Sequence, residues 1–357
     1  MKLINLSLFL SFLFFFSCSK DDSVEQELIL DSDGTARVVG YLPQYKFDFN
    51  NNIDYCKLTH LNLAFANPGV DGKLIINDFN NILVKARADN SKIKIYISIG
   101  GGYLTDVQAS TWSNLIDIEA NRPEIINEIV SFVVDNNFDG VDVDLEWQYV
   151  TPGYSPFVIQ LKTALSAKGK GMTAALPGTT RYNNITDEAL QTFDFINLMA
   201  YDFTGPWNPT VSGQHSSYNH SLESINFWKY TAGIPSSKLT LGVPFYGYDF
   251  TNSSKVTSFS YGDMVNVQTS NADIDNVGLK FYNGRPTIKS KVKLASEQVS
   301  GIMIWELGQD SFSEYSLLKT IPVSYTHLRA HETEAAVVCP HLVEKNSRGG
   351  GGGGGGG

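Results

Sequence analysis

Asp142, Asp144 and Glu146 alternate with Val141, Val143 and Leu145 in the stretch Phe138-Asp139-Gly140-Val141-Asp142-Val143-Asp144-Leu145-Glu146-Trp147. In a β-strand, residues two apart face the same way and lie about 6–7 Å apart. The pattern therefore puts three carboxyl groups in a row on one face and three aliphatic side chains on the other. Burying three acids together is too unfavourable to be incidental packing. Their mutual repulsion and partial desolvation should hold one proton near neutral pH. The outermost acid, Glu146, is best placed to donate it, so the chemistry expected is general acid catalysis. Acid clusters also bind hard cations, but no His or Asn ligand stands nearby in sequence, which favours metal-free chemistry. A solvated acidic loop is the third reading, and the apolar alternation argues against it.

These acids need a scaffold that turns one strand face inward. Short apolar, β-branched runs begin near Val38, Leu58, Ile93, Gly140, Met172, Phe195, Leu239 and Gly301. Helix-period segments lie between them: Phe79–Ala88, Pro123–Val134, Phe157–Ala167, Asp187–Phe193, Leu222–Tyr230 and Ile288–Gln298. Pro123 suits a helix start, and Ser155 before Pro156 offers a cap and a first turn. Eight strands alternating with helices predict a (β/α)8 TIM barrel, whose active site lies at the C-terminal ends of the strands. A doubly wound open sheet is the rival. It is weakened because no Gly-rich dinucleotide loop follows the first strand. Gly100-Gly101-Gly102 after the third lacks the lysine and threonine of a phosphate loop.

Asp139-Gly140-x-Asp142-x-Asp144-x-Glu146 resembles the signature of family 18 glycoside hydrolases, the chitinase family. Further motifs follow in register: Gly40-Tyr41, Leu63-Ala64-Phe65-Ala66, Ser98-Ile99-Gly100-Gly101, Met199-Ala200-Tyr201-Asp202, Gly242-Val243-Pro244-Phe245-Tyr246-Gly247 and Met303-Ile304-Trp305-Glu306. The similarity runs from about Val38 to Asp310. It implies substrate-assisted catalysis, in which the sugar's own acetamido oxygen attacks the anomeric carbon. On that analogy Glu146 is acid and then base, and Asp144 steadies the acetamido N–H. Asp142 shares a proton with Asp144, and Tyr201 donates to the acetamido carbonyl. Met199, Asp202, Tyr41 and Phe65 would line the sugar site, with Trp305 as its apolar floor and Trp147 and Trp207 as sugar-stacking platforms. Ser98, Gly100, Gly101, Asp139 and Gly140 would be structural, with Tyr41 and Ser98 also beneath the site, tuning Asp142. His60 reads as a core histidine, and His215 and His220 as solvated loop residues. No cofactor or metal is expected, and the expected partner is a polymer or oligomer containing N-acetylglucosamine.

Three departures from the family pattern stand out. Leu145 and Trp147 flank the acid where relatives commonly carry Trp and Tyr, and Tyr248 stands where an arginine is frequent. About 50 residues separate the seventh and eighth strands, which leaves little or no room for an α+β insertion in the barrel. A shallow, open cleft and endo attack on β-1,4-linked N-acetylglucosamine chains follow as expectations. Action on the chitobiose core of N-glycans, or glycan binding without turnover, are the alternatives.

The chain of 357 residues carries a net charge of −10, which argues against a nucleic-acid partner. Lys2 and the apolar run Leu3–Phe16 read as an export signal over residues 1–17, too short for a spanning helix. Phe15-Phe16-Ser17-Cys18 resembles a bacterial lipobox, and Ser19-Lys20-Asp21-Asp22 a surface-export tag of Gram-negative lipoproteins. Cys18 would then be lipidated, residues 18–35 an acidic tether, and the protein a monomer on the outer-membrane surface, touching the membrane through its anchor only. Residues 323–357 resemble sequencing-adaptor read-through followed by poly-Gly, so His327, His331 and His341 are set aside as ligands. The catalytic barrel is assigned to residues 36–322. With Cys18 lipidated, Cys56 is expected to be an unpaired, buried hydrophobe without a disulfide.

Overall fold

The computed structural model describes residues 36–321. The calls on the signal, Cys18, the tether and the C-terminal tail lie outside the described residues. Eight parallel strands form the barrel: β1 (Arg37–Pro43), β2 (His60–Pro68), β3 (Lys94–Gly101), β4 (Gly140–Leu145), β5 (Gly171–Pro177), β6 (Ile196–Met199), β7 (Leu239–Pro244) and β8 (Gly301–Trp305). Each pairs in parallel with the next, and β8 returns to β1 to close the ring. Every strand begins within two residues of the position that its apolar run predicts.

The helices lie between the strands and cover them. Pro123 sits in the first turn of Arg122–Asp135, as its fixed φ favours. Asp106–Asp117 escapes the apolar-period reading, yet it carries a full capping box between Thr105 and Gln108. Tyr154–Ser166 starts one turn earlier than its apolar period suggests. Ser155 lies inside it and donates to the Asn184 carbonyl instead of capping it. The largest apolar cluster fills the layer between strands and helices and includes Val141, Val143 and Leu145. A second cluster, built on Tyr41, Tyr201, Tyr246, Tyr248 and Met303, fills the barrel mouth. The alternation in β4 is thus resolved as expected, with aliphatics outward and acids inward.

The segment between β7 and β8 is short but not plain loop, so the expectation of little or no insertion needs correction. Tyr246–Asp249, Thr257–Ser260, Asn276–Val277 and Lys280–Phe281 make a four-stranded antiparallel sheet, joined by the helix Tyr261–Val267. Local chemistry explains it: a capping box between Ser260 and Asp263 starts the helix, and Gly278 with φ +56 turns the last hairpin. These elements are too short to show a clear period in sequence. Cys56 also departs from its reading. It is partly exposed and disulfide-bonded, and its sulfur lies 3.2 Å from the Asp89 carbonyl oxygen.

Gly140 shows how tightly β4 is set. A Cβ at 140 would lie 2.4 Å from the carbonyl oxygen of Gly171, its partner on β5. Neither backbone can move without breaking the barrel ladder. Gly140→Ala should therefore cost about 2–3 kcal/mol by overpacking. Urea unfolding measures this directly, and a midpoint equal to that of the parent protein would contradict it.

Candidate active site

The inward face of β4 carries Asp142, Asp144 and Glu146 in order of rising exposure: fully buried, nearly so, and partly open. Asp142 sits at the centre of a ring of donors from four other strands. Its Oδ2 accepts from Tyr41 (2.8 Å, β1) and Ser98 (2.7 Å, β3). Its Oδ1 accepts from Thr173 (2.6 Å, β5) and Asn197 (3.3 Å, β6). Thr240 on β7 in turn donates to Asn197 Oδ1 at 2.7 Å. Register dictates the ring, since Asp142 stands level with Ser98 on one side and Thr173 on the other. Burial raises the Asp142 pKa, and the four donors pull it back.

Asp144 is different. It is buried, and no described residue donates to its Oδ1. Burial first, then the charges of Glu146 and Asp142, push its pKa well above the usual carboxylate range. An uncharged Asp144 above a hydrogen-bonded Asp142 is the arrangement that these surroundings favour. Glu146 is raised to about 7, first by burial and then by the charge of Asp202. The outermost acid is thus poised near neutrality, and the charge that adds to burial comes from Asp202, outside the row.

Glycines let the backbone approach these acids. Gly100 has φ +99, and a Cβ there would meet the Asp144 carbonyl carbon at 2.8 Å. Gly101 (φ +102) lies against the Phe65 ring. Gly102, which the motif reading did not single out, lies against the acid itself, with its notional Cβ 2.8 Å from Glu146 Oε1. Asp139 is structural, as expected. It accepts from the Ile95 N–H at 2.8 Å, near Arg87 and Lys94 at the closed end of the barrel.

Glu146, Trp147, Met199, Tyr201, Asp202 and Trp207 line one cleft of about 530 Å³, together with the turn Pro177–Thr180 and Phe203. Tyr201 is nearly buried, and its hydroxyl has only the Met303 sulfur, a weak acceptor, at 3.8 Å. Burial, then the Asp144 charge, keep it protonated. Trp147 (φ +49) and Trp207 are each 59% exposed and pack edge-on against Tyr182 and Tyr248. Trp305 and Phe65 do not line that cleft. They stack on each other at 5.7 Å beside Tyr41, part of the aromatic bed at the mouth. The peptides Ala64–Phe65 and Trp305–Glu306 are cis. Tyr41, expected both along the sugar site and beneath it on Asp142, takes the second place: it is buried and donates to Asp142.

Asp202 adopts φ +62 and aims its carboxylate into the cleft, 39% exposed. Tyr246 and Tyr248 donate to its Oδ1 at 2.5 and 2.9 Å. The residue at the frequent arginine position thus binds Asp202. His215, read from sequence as solvated, is fully buried against the same oxygen at 3.2 Å. His220 is partly buried, stacks on Phe203 and closes the capping box of helix Tyr218–Asn226, so it too differs from a free loop residue. His60 is a core histidine packed on Tyr96 and Phe195. Thr173, Asn197 and Thr240 were also missed. Their signal is a polar residue at an inward position of an otherwise apolar strand. Among the described residues no group of three or more His, Cys, Asp or Glu is arranged to hold a metal ion, and no helix is long and apolar enough to cross a membrane.

A closed parallel barrel with a row of acids at its open end, the last one near neutrality above an aromatic-lined cleft, is the layout of a glycoside hydrolase. The chain belongs to the family described as glycosyl hydrolases family 18, whose model matches residues 37–310. Among solved structures it is similar to the GH18 chitinase ChiB from the chitin utilization locus of Flavobacterium johnsoniae. That likeness has 53% identity and a TM-score of 0.81 over 82% of this chain and 95% of that one. A chitinase from Bacteroides thetaiotaomicron is 29% identical with a TM-score of 0.74, covering 84% and 99% of the two chains. Human chitinase-3-like protein 2 is 28% identical over 65% of this chain and 67% of its own length. The chain spans about half to two thirds of the length of such curated relatives.

The electrostatics give a signed expectation. The acid must be protonated to act, so with Glu146 at about 7 activity should fall as pH rises through neutrality. Asp202→Asn removes the charge that helps to raise Glu146. The alkaline limb of kcat/KM should then move to lower pH, by about half a unit to one unit. An unmoved or upward-moving limb would refute the assignment.

Proposed function

We propose that the protein hydrolyses β-1,4-linked N-acetylglucosamine polymers, chitin and chitooligosaccharides, by substrate-assisted acid/base catalysis with retention and in an endo mode. One observation carries this reading: an acceptor without a donor and a donor without a good acceptor lie close together beneath the acid. Asp144 Oδ1 has no donor, and the Tyr201 hydroxyl has only a thioether. An acetamido group supplies the two complements, an N–H for Asp144 and a carbonyl oxygen for Tyr201. A plain glucose unit supplies neither in that form, so cellulose-like chains should not be cut.

On this reading Glu146 protonates the glycosidic oxygen as its bond to the anomeric carbon breaks. The acetamido oxygen, held by Tyr201, forms the new bond to that carbon and gives an oxazolinium. Asp144 accepts from the acetamido nitrogen, and the one negative charge that it shares with Asp142 balances the positive charge. Water then adds to the anomeric carbon, gives its proton to the Glu146 carboxylate and reopens the ring with net retention. Asp142 is fixed by its donors and keeps negative charge beneath Asp144. Trp147 and Trp207 offer exposed indole faces on which sugar rings stack. Support for endo action is the lining of the cleft: among the described residues that line it, none comes from the insertion between β7 and β8.

Glu146→Gln keeps the shape and removes the transferable proton. Turnover of chitohexaose should drop by at least about 100-fold while oligosaccharide affinity stays within a few-fold; undiminished turnover overturns the acid assignment. Endo action is checked by viscometry of a soluble chitin derivative, where an early drop is expected. Disaccharide release from one end without that drop counts against it. Faster release of glycans from a high-mannose glycoprotein than cleavage of chitohexaose would redirect the substrate to the N-glycan core.

A further inference from the structure

His215 lies on the loop between β6 and the helix Tyr218–Asn226, and that loop is tied to the strand end. The Phe203 N–H donates to the His215 carbonyl at 3.0 Å, and Ser216 Oγ donates to the Ala200 carbonyl at 2.7 Å. The imidazole is thereby carried into the barrel mouth with no exposure to solvent. Its Nε2 lies 3.2 Å from the carbonyl oxygen of Tyr246. A carbonyl only accepts, so Nε2 carries the proton of that bond. In that tautomer Nδ1 is the acceptor, taking the Asp202 N–H at 3.4 Å, and Asp202 Oδ1 lies beside it at 3.2 Å with no proton between them.

The distribution of partners over the Asp202 carboxylate has a functional shape. Tyr246 and Tyr248 donate to Oδ1, the His215 ring lies against it, and no described residue hydrogen-bonds Oδ2. A carboxylate serving only the fold would bury and bond both oxygens. Here the residue is anchored from two directions, its Oδ1 by the tyrosines of the insertion after β7 and its backbone N–H by His215 of the loop after β6. Its Oδ2 stays open to the cleft that Glu146 lines. The left-handed backbone of Asp202 is a conformation that needs support in a residue other than glycine. The His215 ring meets both the side chain and the backbone N–H of that residue.

We infer that His215 is a positioning residue for hydrolysis: it holds Asp202 so that Oδ2 points into the cleft beside the acid, and it acts on turnover only through Asp202. This deepens the reading of the cleft as the hydrolytic site and rests on it. His215→Phe keeps the ring volume and loses both bonds, while His215→Asn keeps a polar atom near the Nδ1 position. Chitohexaose cleavage should fall about 10-fold in kcat/KM for the Phe variant, the size of one buried N–H left without its acceptor. The Asn variant should recover at least about a third of the parent value. In an Asp202→Ala background, His215→Phe should change kcat/KM by less than about two-fold, because the group it positions is already gone. Equal losses for Phe and Asn, or a full 10-fold loss in the Asp202→Ala background, would overturn the proposal. Long-range 1H–15N spectra of the imidazoles supply an arm that needs no substrate. The His215 Nδ1 resonance should move in Asp202→Ala while that of His60 holds, and a stationary His215 signal sinks the contact. That spectrum decides the contact even where the Phe variant does not fold. If the parent protein leaves chitohexaose intact, it is the functional reading that fails, and the spectrum still reports on His215.

Discussion

The structure depends above all on keeping a carboxylate, Asp142, wholly out of water. A buried acid without partners is unstable by several kcal/mol, and no single element could supply enough donors. Four strands do so together, with Tyr41, Ser98, Thr173 and Asn197 closing on its two oxygens. The barrel must be closed, and in the observed register, for those hydroxyls and that amide to converge. Site and fold are therefore one construction: the ring that closes the sheet is also the ring that holds the charge. Asp144 and Glu146 are stacked above it with fewer protein partners and more solvent at each step. Donors offset burial at Asp142, their lack leaves Asp144 well above the usual carboxylate range, and Glu146 at the cleft carries the transferable proton.

Much of this was legible in the sequence, for definite reasons. A strand has a period of two, so three acids alternating with three aliphatics could face only one way. The inward row and the outward Val141, Val143 and Leu145 follow from that arithmetic; the raised pKa of Glu146 follows from burial, with a charge from Asp202 that the alternation does not show. The eight strand starts were legible because parallel strands buried on both faces read as dense β-branched runs. Helix Asp106–Asp117 was missed because its buried positions, Trp112, Leu115 and Ile116, crowd into its last half. Its first turns carry no apolar period.

The parts that could not be read are contacts between distant segments. Nothing near Thr173 or Asn197 in sequence says that each faces Asp142; that emerges only when β3, β4, β5 and β6 are laid in register. His215 sits among Ser, Gly and Gln, a composition that reads as solvent-facing loop. The hydrogen bonds that fold this loop onto Ala200 and Phe203 bury the imidazole regardless of that composition. The insertion escaped notice for another reason. Its strands run from two to four residues, below the length at which alternation can be told from chance.

That insertion has a meaning beyond the shape of a groove wall. Tyr246 and Tyr248 begin it, and both hydroxyls end on the carboxylate that helps to set the acidity of Glu146. The insertion is thus tied, through Asp202, to the group that the proposed reaction uses as its proton donor. Lineages that lengthen, trim or exchange it therefore do not alter geometry independently of acid strength. Exchange of the module between relatives is therefore expected to move the pH range of activity along with the wall of the groove.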